Sequence, residues 1–126
     1  MGLFRRDKSD TAKSATSGLV LVSGGGVRQV ATGSYGMDLV QEVARLLGSE
    51  HIRSTKLGED LTLWHAEDGP GRPQPGLPNP AASRLAAGYG SPPVTGPAVV
   101  SGPMMYGSPY PLDADGLART ATRLGG

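Results

Sequence analysis

Apolar and polar positions alternate along this chain with two different periods, and the switches between them mark out the elements. Leu19-Val20-Leu21-Val22 is a short apolar run, Ser23-Gly24-Gly25-Gly26 turns the chain, and Val27 to Ala31 returns it, which predicts a hairpin with a glycine turn. Leu39, Val40, Val43, Leu46 and Leu47 follow the spacing i, i+1, i+4, i+7, i+8, one apolar stripe at helical period. Asp38 and Gln41 have the spacing of a capping box at its start. Gly48 stands where a left-handed C′ residue ends such a helix. The helix is expected to lie on a sheet with Leu39, Val43 and Leu46 buried.

The period then returns to two. His51 to Leu57 and Leu61 to Ala66 read as a second hairpin around Gly58-Glu59-Asp60. Leu61, Leu63 and His65 share one face of its second arm, and Thr62, Trp64 and Ala66 the other. Glu67 to Gly76 is turn chemistry throughout, and its prolines exclude a central strand. Within Gly76-Leu77-Pro78-Asn79-Pro80, Asn79 suits an N-cap and Pro80 the first position of a short helix that carries Ala81, Ala82, Leu85 and Ala86 and stops at Gly88. Ala98-Val99-Val100 predicts a closing strand, and Gly102 to Pro111 reads as a loop. Asp113 to Leu124 reads as a C-terminal helix, capped by Asp113 and stapled by Leu112 and Leu117.

The fold class expected from this order is α+β: a small mixed, mainly antiparallel sheet with one amphipathic helix on one face, a short edge helix and a C-terminal helix. The expected organisation is a flexible leader over residues 1–17, an α+β domain over 18–102, and a Gly/Pro/Tyr/Met loop with a helix over 103–126.

Composition narrows the classes. A length of 126 residues allows one domain. With no cysteine, a disulfide framework, a thiolate metal site and a Cys nucleophile are excluded, and the chain fits a reducing cytoplasm. A net charge of +1 gives no general pull toward a polyanion. No apolar run approaches the ~20 residues that cross a bilayer, and no apolar stretch follows Arg5-Arg6 to make a secretory signal. Arg outnumbers Lys, and Ala, Gly and Pro are frequent, the imprint of a GC-rich bacterial genome such as that of an actinobacterium or one of its phages.

Candidate chemistry is sparse. Val27, Arg28 and Gln29 follow the triple glycine where a phosphate loop needs Lys and Ser or Thr, so no cofactor is expected. His51 and His65 are the two histidines, and pairing of the hairpin arms brings them near one another; with Glu67 or Asp68 they are the alternative, metal-binding or hydrolase-like reading. The basic residues Arg5, Arg6, Lys8 and Lys13, and Arg119 with Arg123, come without interleaved aromatics, so a dedicated nucleic-acid binder is not expected and a nucleic-acid accessory protein using the basic leader is the weaker alternative. What remains is contact surface. Trp64 fills the far side of the sheet if buried and anchors a partner if exposed, and Met104, Met105, Tyr106 and Tyr110 supply adaptable and amphipathic side chains. The leading expectation is a non-enzymatic accessory module that binds a protein partner through these five residues.

The order of elements resembles the domain of unknown function 3846 family of bacteria, phages and plasmids. The likeness is carried by Leu39 to Gly48, by Glu59-Asp60-Leu61-Thr62-Leu63-Trp64 with Glu67-Asp68-Gly69, by Gly76-Leu77-Pro78-Asn79-Pro80-Ala81-Ala82, and by Gly96 to Gly102. It covers roughly Leu19 to Gly102, about two thirds of the chain. The resemblance implies a shared architecture and an accessory-gene origin, and it brings no activity with it.

Overall fold

Two local hairpins and one late strand build the sheet. The computed structural model describes residues 17–23, 26–67 and 76–125; the leader expected up to Thr16, the turn expected at Gly24-Gly25 and the turn chemistry expected from Asp68 to Pro75 lie outside the described residues. Strand β1 (Gly18–Ser23) pairs with β2 (Gly26–Ala31), and β3 (Ile52–Leu57) pairs with β4 (Leu61–Ala66). Strand β5 (Ala98–Ser101) lies between the hairpins, with Val100 opposite both Val20 of β1 and Leu63 of β4. The spatial order is β2-β1-β5-β4-β3 and every pairing is antiparallel. A two-stranded sheet of β6 (Met104–Met105) and β7 (Ser108–Pro109) follows. With α1 (Gly36–Leu47), α2 (Pro80–Ala87) and α3 (Ala114–Arg123), the fold is α+β.

Both faces of the large sheet are covered. Leu19 and Val99 join Trp64 on one face and meet Leu39, Val43 and Leu47 of α1. Val20, Val22, Leu57, Leu61, Leu63, Ala98 and Val100 form the other, packed by Ala82, Leu85 and Ala86 of α2 and by Leu112, Leu117 and Leu124 around α3. The short helix α2 is thus part of a second layer on that face. That layer also carries the core past residue 102, because Leu112 exchanges both backbone hydrogen bonds with Gly18 at 2.9 and 2.8 Å.

Two expectations for α1 are corrected. Leu47 is its third buried residue, with Leu46 at the margin of the cluster. Asp38 does not cap it: the helix starts at Gly36, which enters with φ of +64°, and Tyr35 at the N-cap makes no side-chain bond. Asp38 is left in the first turn, where its charge suits the dipole. Gly48 does adopt the left-handed conformation, with φ of 67°.

Trp64 as a partner-binding residue is also corrected. It is 5% exposed, because α1 lies over its face of β4. Its indole N–H donates to the buried Ser101 hydroxyl at 2.8 Å, which satisfies the one polar atom the ring carries. Ser101→Ala is expected to lower stability by about 1–3 kcal/mol by orphaning that donor. Chemical denaturation followed by the fluorescence of this single tryptophan measures the loss, and an unchanged midpoint would contradict it.

The Gly76–Pro80 motif is structural. Leu77 and Gly96 are joined by a backbone bond of 2.9 Å, and the Asn79 N–H donates to Val94 O at 2.9 Å. The Asn79 side chain is 6% exposed and fully used. Its Oδ1 accepts from Ala82 N at 3.2 Å and so caps α2, while Nδ2 donates to Val22 O at 3.1 Å and Gly96 O at 2.9 Å. One amide thus ties the end of β1, the approach to β5 and the start of α2.

Candidate protein-binding surface

The stretch read as a loop from Gly102 to Pro111 is a hairpin. Gly102 N donates to Tyr110 O at 2.9 Å and Tyr110 N to Pro103 O at 3.2 Å, which closes the base of β6 and β7. Met105 pairs with Ser108, leaving Tyr106 and Gly107 as the turn, with φ of 53° and 78°. Two positive φ values are what a type I′ turn requires, and they match the twist of the flanking strands. Gly107 adopts its value without a Cβ clash, whereas Tyr106 holds an aromatic side chain in the left-handed region. Among the described residues it is the one non-glycine residue to do so.

The hairpin sorts its side chains. Met104 turns inward against the α1 cluster, Met105 is 42% exposed, and Tyr106 is fully exposed. Tyr110 is partly buried and stacks on Tyr35, with ring centroids 5.5 Å apart and planes 4° from parallel. Of the five residues expected to make the contact surface, Met105 and Tyr110 line one groove, Tyr106 stands fully exposed at the turn between β6 and β7, and Met104 packs against the α1 cluster instead.

Beside the hairpin runs a groove of about 650 Å³, lined by Met105, Tyr110, Tyr89, Arg119, Arg123 and Asp60 among others. Arg119 and Arg123 stand one turn apart on α3, which Asp113 starts by accepting from Gly116 N at 2.7 Å. Arg123 donates to the Tyr89 hydroxyl at 2.9 Å, and its guanidinium carbon lies 5.4 Å from that ring's centroid. The Tyr89 ring closes over the β3–β4 turn so tightly that a Cβ on Gly58 would come within 3.0 Å of it. The groove thus carries tyrosines beside its arginines, which sequence spacing did not show.

Tyr35, Tyr89 and Asp60 were missed as surface residues. Tyr35 and Tyr89 each sit at a helix end, and nothing local says that the two ends frame the same hairpin. The one readable signal was the spacing of Arg119 and Arg123, which places both on one face of α3.

Among the described residues the ligands of the metal-binding alternative are not brought together. His51 lies opposite Glu67 and His65 opposite Arg53, so the two histidines are offset along the hairpin. His65 and Glu67 line a separate cleft of about 310 Å³, which His51 does not line. The Glu67 carboxylate is 3.5 Å from Arg53 Nη1. Among the described residues no three His, Asp or Glu side chains are grouped to hold a metal ion, and Asp68 lies outside them. Among the same residues no helix is long and apolar enough to cross a membrane. No protein-family model matches the chain, and no curated protein or solved structure matches it at a significant level.

Proposed function

We propose that this protein is a non-enzymatic accessory module that binds a protein partner through the β6–β7 hairpin and the groove beside it. The observation that carries this reading is Tyr106. A turn of this type favours Asn, Asp or Gly at both central positions, and the chain places a fully exposed tyrosine there instead. Strain held at an exposed position with no internal contact to compensate it points to a contact outside the chain. The neighbouring composition agrees, since Tyr, Met and Arg are the residue types enriched at protein interfaces. Membership of the domain of unknown function 3846 family is part of the same proposal; it is supported by the Gly76–Ala82 motif and adds no activity.

Tyr106→Asn tests the reading cleanly. Asn accepts a left-handed backbone and removes only an exposed ring, so the melting temperature is expected to rise by a few degrees. Capture of the partner from host cells, quantified against the unaltered chain, is expected to fall at least about tenfold. Equal capture by the two proteins would sink the reading.

A further inference from the structure

Resting on the protein-binding reading, we propose that the partner is a second copy of the chain, docked about a two-fold axis so that each Tyr106 enters the groove of the other.

Shape is the first support. Tyr106 projects from the turn and does not line its own groove, while Met105, the residue before it, does. A projection and a hollow therefore stand side by side on one surface. A two-fold operation on such a surface sets each projection against the other copy's hollow, which is the requirement for a closed, isologous pair. A tyrosine brings roughly 150–250 Å² of surface to the contact, and a groove of about 650 Å³ holds the ring with room for the turn that carries it.

Charge is the second support. The groove is lined by two cations, Arg119 and Arg123, and two anions, Asp60 and Asp113. A surface that must pair with itself needs both signs in balance. An acidic peptide or a nucleic-acid backbone would instead bring its charges against the Asp60 and Asp113 carboxylates. Arg119 is exposed and makes no hydrogen bond or ion pair with another described residue. Its guanidinium is placed to lie against the incoming phenol ring.

The interface is small, so the dimer is expected to be concentration-dependent. Sedimentation velocity on the full chain, from about 1 µM to about 1 mM, is expected to show a monomer–dimer equilibrium. Tyr106→Asn and Arg119→Glu are each expected to raise Kd at least about tenfold while circular dichroism and melting show a folded chain. A monomer throughout that range, or a dimer indifferent to Tyr106→Asn, overturns the proposal. If the chain is monomeric while capture from host cells still depends on Tyr106, the self-association is overturned and the protein-binding reading stands.

Discussion

Replacing Asn79 with Asp is expected to lower stability by about 3–5 kcal/mol at neutral pH. The variant keeps the oxygen that caps α2, because Oδ1 still accepts from Ala82 N. It loses both donors. A second carboxylate oxygen then faces Val22 O and Gly96 O, now 3.1 and 2.9 Å from Nδ2, and three acceptors crowd a site that is 6% exposed. Burial and the facing carbonyls favour the protonated acid, so the carboxyl holds its proton more tightly folded than unfolded. The sign follows: the penalty is small below the ordinary carboxylate pKa near ~4 and grows as pH rises through the folded value. Urea titrations at acid and neutral pH measure this, and a variant equally stable at both would refute the role given to Nδ2.

Gly102→Ala is expected to lower stability by about 2–4 kcal/mol and to dislodge the hairpin that carries Tyr106. A Cβ at this position would sit 2.5 Å from Pro111 O and 3.0 Å from Pro111 C and Tyr110 O. All three are backbone atoms, so no side-chain rotation relieves the overlap. Movement there breaks the bond from Gly102 N to Tyr110 O and strains the bond from Thr62 Oγ1 to Gly102 O, at 2.9 and 3.0 Å. Gly33→Ala is the control. No atom lies within 4 Å of its Cβ and its φ is not positive, so its effect should stay within about 0.5 kcal/mol. Thermal melts and partner capture on both variants separate a contact effect from a general glycine effect; equal melting temperatures would count against the contact.

Much of the fold was legible because it is written locally. The Leu39–Leu47 stripe, the Asn79-Pro80 start and the Leu112–Leu117 staple each sit within about two turns of chain, and α1, α2 and α3 lie where those signals place them. Strand β4 was harder. Alternation correctly separated Leu63 from Trp64, but a strand between two helical layers is buried on both sides, and nothing in Leu61–Ala66 says which helix covers which side. The β6–β7 hairpin was illegible for another reason. Two-residue strands are too short to show a period, and Tyr106-Gly107 lacks the Asn-Gly signature of its turn. The groove is less readable still, since Asp60, Tyr89, Met105 and Arg119 converge only after the sheet has brought distant segments together.

The strand order carries a consequence for how the chain is made. Strand β5 is the middle of the large sheet, yet it is the last of the five to leave the ribosome. Each earlier hairpin can zip up alone, but neither can join the other until Ala98–Ser101 arrives to bridge them. During that interval β1 and β4 each present an open flank of unpaired backbone, the kind of edge that recruits stray strands. Synthesis therefore passes through a stage of two half-sheets awaiting their keystone, and a pause before residue 98 lengthens the interval in which nascent chains can misassociate.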